Sequence, residues 1–212
     1  MINIYFIRKL SDKILRKLVK PLIPLKITPD TLTLISFLFA IISATFFYYS
    51  GKNFSSFYIF LAALFLIISS FLDALDGPLA REMGKASKKG DFLDHTLDRF
   101  ADVLLILGIV FGGYVNLSWG IITITIILLI SYLGVQAQAL GIKREYRGLM
   151  GRFSRLIILI FFAFLNSIYQ QNIEIGSLSF SFLGWAIVIF VILGLITIIQ
   201  RFFYIWKDSK TI

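Results

Sequence analysis

Carboxylates are concentrated in one stretch of this 212-residue chain, where six of its 12 acidic residues lie between Asp73 and Asp98. Asp73 and Asp76 are three residues apart and Asp94 and Asp98 are four apart, so on helices each pair shares one face. Four carboxylates gathered near hydrocarbon must be protonated or joined by cations, because repulsion and desolvation both oppose their charged forms. Oxygen ligands suit hard cations, so the pattern predicts a site for two divalent ions, Mg²⁺ or Mn²⁺.

A simpler alternative is that these acids are solvated charges at helix ends, paired with neighbouring Arg and Lys side chains. That alternative accounts for one or two aspartates. It does not account for pairs at helical spacing on both sides of a glycine-containing loop, which we expect at residues 76–91.

Composition predicts the setting of this site. With 58% hydrophobic residues and several apolar runs near 20 residues, the chain is too apolar for a soluble domain. The chain has no cysteine, so neither disulfides nor thiolate sites are expected. In so apolar a chain, the formal charge of +9 favours anionic lipid head groups and phosphorylated substrates as binding partners over nucleic acid. We predict an all-α integral membrane protein with six transmembrane helices, at residues 31–50, 56–75, 92–114, 117–140, 152–169 and 182–204.

An amphipathic juxtamembrane helix is predicted before the first span. Residues 2–20 alternate apolar and basic side chains at helical spacing, so we divide the chain into a juxtamembrane segment, 1–26, and a six-helix domain, 27–212. A solvent-facing helix packed on the core remains the alternative. All of the 21 Lys and Arg residues except Lys52 fall on one side of the predicted spans. The positive-inside rule then places both termini and the aspartates on the cytoplasmic side of the cell membrane.

The aspartate stretch also carries a resemblance. The spacing D-x2-D-G-x2-A-R-x8-G-x3-D-x3-D, which begins at Asp73 and ends at Asp98, resembles the CDP-alcohol phosphotransferase family of integral membrane enzymes. Members displace CMP from a CDP-linked lipid with the hydroxyl of an alcohol. The resemblance implies that Asp73, Asp76 and Asp94 ligate metal, that Asp98 binds the second metal or acts as general base, and that the protein is a homodimer.

The resemblance further implies which residues contact the CDP-lipid substrate. Gly77 and Gly90 lack a Cβ, which would let phosphates approach the backbone, and Arg81 is close enough in sequence to meet a diphosphate. Without the resemblance, Thr28 to Asp30 would be read as a helix cap. The full set of implied contacts is Asp30, Thr31, Leu32, Thr33, Gly77, Arg81, Ser87 and Gly90.

A second polar stretch predicts an acceptor site. Gln136 lies near a span end, and Arg152 and Arg155, three residues apart, could present two guanidinium groups to one phosphate. The arrangement of these polar residues is similar to that of family members that use an inositol phosphate. The acceptor is therefore expected to be a small phosphorylated polyol, with 1D-myo-inositol 3-phosphate (L-myo-inositol 1-phosphate) favoured. Those members tend to carry Lys and Arg where this chain has Gly134 and Gln136, so glycerol 3-phosphate stays open.

Other choices stay open at the level of sequence. The lipid is CDP-archaeol or CDP-diacylglycerol, and Asp91 and Asp102 are assigned only supporting roles. His95 points about 100° away from Asp94 on a helix, which favours an interfacial contact over metal ligation. A cation transporter is the alternative of another class, but it would need acids deep in several spans, and the spans outside the motif are nearly free of acid.

Overall fold

The fold was analysed in a computed structural model that describes residues 15–142 and 145–209. Residues 15–19 are helical and run into a short 3-10 turn, Lys20–Leu22. Most of the predicted amphipathic segment lies outside the described residues. Within them, the longer elements are α1 (Pro29–Asn53), α2 (Ser56–Glu82), α3 (Lys88–Gly112), α4 (Leu117–Ala139), α5 (Arg152–Ile168), β1 (Ile173–Ile175), β2 (Leu178–Phe180) and α6 (Phe182–Asp208).

Each of the six predicted spans coincides with one of these helices. Four of them, α1, α2, α4 and α6, are long and apolar enough to cross a membrane. Charged residues fill the first half of α3, and α5 has only 17 residues. The chain is therefore a helical membrane protein, with one small departure from an all-α fold: β1 and β2 pair antiparallel between α5 and α6, with Ile173 opposite Phe180.

The expected loop over residues 76–91 is wrong in its bounds. Helix α2 continues through Gly77 and Pro78 to Glu82, and the connection is only residues 83–87. Proline and glycine are tolerated inside membrane helices because neighbouring groups can satisfy the freed backbone atoms. Ser87 then caps α3, because its Oγ accepts a hydrogen bond from the Gly90 amide at 3.1 Å.

Helices α1, α2 and α3 form the tightest part of the bundle. Ser43 Oγ donates to the Ala62 carbonyl, and Ser69 Oγ donates to the Ser36 carbonyl, each at 2.8 Å between α1 and α2. Gly108 on α3 lies directly against the backbone of Ala44 on α1, where a Cβ would collide. Small residues and interhelical hydrogen bonds are the usual means of close packing in membranes. They hold the aspartate-bearing ends of α2 and α3 beside the start of α1.

The remaining helices complete the bundle around a shared apolar core. Helix α5 packs on α2, α4 packs on α3, and both α4 and α5 pack on α6. Fully buried side chains from four helices meet in the middle, among them Phe47, Leu66, Ile109 and Phe190. The polar ends of α2, α3 and α5 are thereby brought to the same end of the bundle.

Candidate metal and substrate site

The four aspartates of the motif meet where α2 and α3 face each other. Three carboxylate oxygens lie within 4.8 Å of one another, one from each of Asp73, Asp76 and Asp94. Asp94 also belongs to a second group of this kind, with His95 and Asp98. Asp76 and Asp98 are buried, with 8% and 7% exposure. The two groups share Asp94, and their ligand atoms are carboxylate oxygens apart from the His95 nitrogen. Such an oxygen-rich donor set suits hard divalent cations.

His95 lies closer to the carboxylates than its helical position suggests. Its Nε2 is 3.1 Å from Asp91 Oδ1, and its Nδ1 is 3.6 Å from Asp94 Oδ2. The imidazole is therefore positioned by two acids of its own helix.

A threonine of α1 fixes the orientation of the α2 carboxylate. Thr33 Oγ1 donates a hydrogen bond to Asp76 Oδ2 at 2.7 Å, and both residues are buried. The start of α1 is itself held by Thr28, whose Oγ1 accepts from the Thr31 amide at 3.2 Å. The Thr28–Asp30 segment is thus a helix cap, and it carries Thr33 to the aspartates.

A first cavity of about 170 Å³ opens between α1, α2 and α3, and we call it the diaspartate cavity because Asp76 and Asp94 line it. Six of the eight implied CDP-lipid contacts line it: Asp30, Thr33, Gly77, Arg81, Ser87 and Gly90. Lys85, which the motif did not single out, lines it too. Basic side chains, carboxylates and glycine backbone therefore line the same cavity, and such a lining could bind a diphosphate.

Two implied contacts lie elsewhere. Thr31 is exposed and its hydroxyl is 2.7 Å from that of Thr28. Leu32 is only 3% exposed and packs in an apolar cluster with Leu75 and Leu79. Neither residue is among those that line the diaspartate cavity.

A second cavity of about 130 Å³ lies on the other side of Asp98, and we call it the arginine cavity because Arg99, Arg152, Arg155 and Arg201 line it. Arg152 Nη1 lies 2.5 Å from Asp73 Oδ2 and 2.7 Å from Asp98 Oδ1. This guanidinium therefore joins α5 to both aspartate-bearing helices. Asp94 and Asp98, one helical turn apart, stand between the two cavities.

The predicted acceptor residues differ in their surroundings. Arg155 is 4% exposed and its Nη2 lies 2.6 Å from Asp102 Oδ2, which is 5% exposed. Arg99, on the same helix as Asp102, is farther from that carboxylate, with its Nε at 3.4 Å. Gln136 is half-buried near the end of α4 and is not among the residues that line the arginine cavity.

Arg201 is the residue of this cavity that sequence reasoning missed. It is 6% exposed on α6 and donates hydrogen bonds to the carbonyls of Ile130, at 2.6 Å, and Arg147, at 2.9 Å. A signal was present, because an arginine inside a predicted span, 182–204, is by default a functional residue. It was read instead as one of the many basic residues at the positive end of the spans.

The segment from Glu145 to Met150 covers the arginine cavity. Burial alone would raise the pKa of the Glu145 carboxyl, but hydrogen bonds from the Arg147 side chain and amide outweigh it and lower that pKa. Arg147 also pairs with Asp208 at 2.9 Å, and the Met150 amide donates to Thr197 Oγ1 at 2.9 Å. The segment is therefore anchored to α6 at several points.

Comparisons with known proteins agree with this geometry. A family model described as CDP-alcohol phosphatidyltransferase matches residues 26–206. The chain is 35% identical to archaetidylinositol phosphate synthase of Pyrococcus horikoshii, over 88% of each chain. It is 31% identical to archaetidylinositol phosphate synthase of Methanothermobacter thermautotrophicus, over 93% of each chain.

Solved structures show the same fold. The crystal structure of Mycobacterium tuberculosis phosphatidylinositol phosphate synthase with CDP-DAG bound matches with a TM-score of 0.73 and 24% identity, covering 92% of this chain and 94% of that one. The structure of the same protein in complex with manganese and citrate matches with a TM-score of 0.73 and 23% identity, covering 91% and 88%.

Proposed function

The chain belongs to the CDP-alcohol phosphatidyltransferase family, and we propose that it transfers the lipid-phosphate group of a CDP-linked lipid to 1D-myo-inositol 3-phosphate and releases CMP. The observation that carries this proposal is the position of Asp94 and Asp98 between a cavity suited to a diphosphate and a cavity lined by arginines. The relatives named as archaetidylinositol phosphate synthases support the acceptor, and they favour CDP-archaeol as the lipid.

In the proposed reaction, a hydroxyl oxygen of the acceptor forms a bond to the lipid-bearing phosphorus, and the bond from that phosphorus to the CMP oxygen breaks. Asp98 accepts the hydroxyl proton, because it is the aspartate of the motif that lines the arginine cavity where the acceptor binds. CMP leaves with the electron pair of the broken bond on its phosphate.

Asp73, Asp76, Asp94 and Asp98 are the proposed ligands of two divalent ions. The fit rests on their all-oxygen donors and on the short distances between them. Mg²⁺ or Mn²⁺ bound there supplies neutralisation of the diphosphate charge. Arg81 and Lys85 face the same cavity and contact the phosphates directly, while Asp30, Ser87 and the backbone at Gly77 and Gly90 contact the nucleotide.

The arginine cavity is the proposed acceptor site. Arg152, Arg155 and Arg201 surround it and favour a phosphorylated acceptor over a neutral one. A side chain at Gly134 would meet the Glu145 carbonyl at 3.0 Å and Arg201 Nη1 at 3.3 Å, so the arginine of α6 occupies the space that a larger residue would need. Gln136, outside the lining, is proposed only as a more distant contact.

The membrane arrangement is proposed from helix packing and charge. Helices α3 and α5 complete six spans with α1, α2, α4 and α6, because their polar residues face the cavities and their apolar halves join the common core. Basic residues such as Arg81, Lys88 and Arg152 lie at the same end as the aspartates, which supports a cytoplasmic site and cytoplasmic termini. Contact with membrane lipids and the homodimer implied by the family complete the proposal.

An acceptor screen tests the proposed substrate. Purified protein with a labelled CDP-lipid and Mg²⁺ is expected to release CMP with 1D-myo-inositol 3-phosphate at a kcat/KM at least about tenfold above that with glycerol 3-phosphate, serine or free inositol. The four guanidinium groups of the arginine cavity favour a phosphorylated acceptor over serine or free inositol. The preference over glycerol 3-phosphate is expected from the relatives named as archaetidylinositol phosphate synthases. Both CDP-archaeol and CDP-diacylglycerol are included. A preference for glycerol 3-phosphate would reassign the acceptor, and no CMP release with any alcohol would favour the transporter alternative.

Thr33→Val is expected to weaken Mn²⁺ binding by about 10–100-fold, because it removes the hydrogen bond that orients Asp76. The matched control is Thr45→Val on the same helix, because the exposed Thr45 hydroxyl donates to the Ile41 carbonyl of its own helix at 2.9 Å and to no carboxylate of the described chain. Electron paramagnetic resonance of free Mn²⁺ measures the Mn²⁺ affinity of the two variants. Equal affinity in the two variants would show that Thr33 does not support the metal site.

Arg155→Ala is expected to destabilise the protein by about 1–3 kcal/mol, because it removes the partner 2.6 Å from the buried Asp102 carboxylate and leaves Arg99 Nε at 3.4 Å. The double variant Arg155→Leu/Asp102→Leu removes both charges and is expected to recover most of that stability, yet to raise the KM for the acceptor at least about tenfold. Thermal unfolding and kinetics with varied acceptor measure the two effects. An unchanged acceptor KM in the folded double variant would make Arg155 a structural residue only.

A further inference from the structure

A third cavity lies at the opposite end of the bundle from the aspartates, and at about 570 Å³ it is larger than either cavity described above. It is formed where α1 and α3 end, where α6 begins and beside the β1–β2 hairpin. Its volume falls within the range of about 300–1,000 Å³ that is usual for small-molecule sites. We call it the distal cavity.

Two buried polar groups that line the distal cavity lack a hydrogen-bond partner among the residues that the structure describes. Asn166, which is 1% exposed, uses its Oδ1 to accept from the Leu183 amide at 3.1 Å and so caps α6 from the neighbouring helix. Its Nδ2 has no partner. Ser181, 5% exposed at the N-cap of α6, makes no capping bond, and its Oγ is also unpartnered. Buried polar groups are rarely left in this state, so both groups indicate a ligand with acceptors and hydroxyls.

The rest of the lining defines the chemistry of that ligand. The described residues around the cavity include amides and hydroxyls but no Asp or Glu, and Lys52 is their one cation. Ser50 Oγ donates to the Phe47 carbonyl at 2.8 Å, so the Tyr114 hydroxyl donates to Ser50 Oγ at 2.7 Å and keeps lone pairs that can accept a hydrogen bond from a ligand hydroxyl. Hydrogen-bonding groups with a single positive charge suit a polyol joined to a phosphate.

The rim of the cavity indicates that the ligand is part of a lipid. Phe54 lines it, is 85% exposed and follows the last turn of α1, with a left-handed backbone (φ 48°) that ends the helix. A largely exposed ring two residues after Lys52, at the end of a membrane helix, matches the boundary between acyl chains and head groups. A free polyol phosphate has no apolar chain that could contact this ring.

We propose that the distal cavity binds the head group of a phospholipid whose phosphate carries a polyol. Asn166, Ser181 and Tyr114 bind the hydroxyls, Lys52 contacts the phosphate, and Phe54 contacts the start of the acyl chains. Because the cavity is at the far end of the helices, this lipid site is separate from the proposed transfer reaction and does not depend on it.

Native mass spectrometry of the full chain in detergent tests the proposal, with phosphatidylglycerol as the polyol lipid and phosphatidylcholine as a phosphate lipid without hydroxyls. Asn166→Asp keeps the oxygen that caps α6 but removes the donor and adds a negative charge. Ser181→Ala removes a hydroxyl that makes no hydrogen bond within residues 15–142 and 145–209. Each is expected to weaken phosphatidylglycerol binding, Asn166→Asp by at least about tenfold, with phosphatidylcholine binding and CMP release unchanged.

Asn53→Asp is the matched control, because Asn53 is exposed at the same end and its side chain donates only to the Tyr49 carbonyl. The proposal is overturned if both cavity variants bind phosphatidylglycerol like the original protein, or if Asn53→Asp weakens binding equally. The proposal is also overturned if the cavity variants lose phosphatidylcholine binding to the same extent as phosphatidylglycerol binding. Displacement of the lipid by an equal concentration of deacylated glycerophosphoglycerol would assign the cavity to a free polyol phosphate instead of a lipid.

Discussion

Asp98→Asn is expected to lower the rate of CMP release by on the order of a thousandfold while the protein stays folded and still binds the CDP-lipid. The amide is close in size to the carboxylate but cannot accept the hydroxyl proton. Asp98 is 7% exposed, lies 2.7 Å from Arg152 and lines the arginine cavity, where the acceptor is proposed to bind. CMP release at saturating substrates measures the effect, and binding of labelled CDP-lipid shows that the diaspartate cavity is intact.

Asp91→Asn provides the control for this variant, because Asp91 lies on the same helix and is exposed. It lines the diaspartate cavity and pairs with His95, but it belongs to neither group of candidate metal ligands among the described residues. The control variant should retain most of the activity. Turnover in Asp98→Asn close to that of Asp91→Asn would remove Asp98 as the general base, even if it still binds metal.

Asp94→Asn is expected to have the second large effect, through the metal ions. Asp94 belongs to both groups of candidate ligand atoms, so in the proposed two-ion site its loss removes a ligand from each ion. We expect the affinity for Mn²⁺ to fall by more than about a hundredfold. Loss of a residue that only hydrogen-bonds to a metal ligand typically lowers metal affinity by about 10–100-fold, and loss of the ligand itself should cost more. Activity should be lost in parallel and should return only in part at high Mn²⁺.

Chelation of the original protein should reproduce that loss reversibly. Treatment with EDTA should abolish CMP release, and added Mg²⁺ or Mn²⁺ should restore it. Activity that survives exhaustive chelation, or an Asp94→Asn variant with unchanged dependence on Mn²⁺, would contradict the metal assignment.

The sequence was sufficient to predict the helices and the aspartate cluster for a simple physical reason. Apolar runs of membrane length leave few alternatives to helix, and acids at intervals of three and four residues must share a helix face. The bounds of the connecting loop were wrong, since neighbouring helices let α2 continue through Gly77 and Pro78, and those neighbours are invisible to local propensity.

Pairings between distant helices could not be predicted in the same way. Arg155 and Asp102 are 53 residues apart, and their ion pair depends on how α5 lies against α3. Arg201 reaches the arginine cavity only because α6 packs against α4 and the Glu145–Met150 segment. Spacing along one helix shows which residues share a face, but not which faces of two helices meet.

The most direct test of the central claim is the number of Mn²⁺ ions bound per chain in the presence of a CDP-lipid, measured by electron paramagnetic resonance. If the carboxylates of α2 and α3 hold the ions that bind the diphosphate, the protein should bind about two Mn²⁺ tightly, and Asp73→Asn and Asp94→Asn should each lower that number. Both variants binding as many ions as the original protein, with equal affinity, would contradict the account.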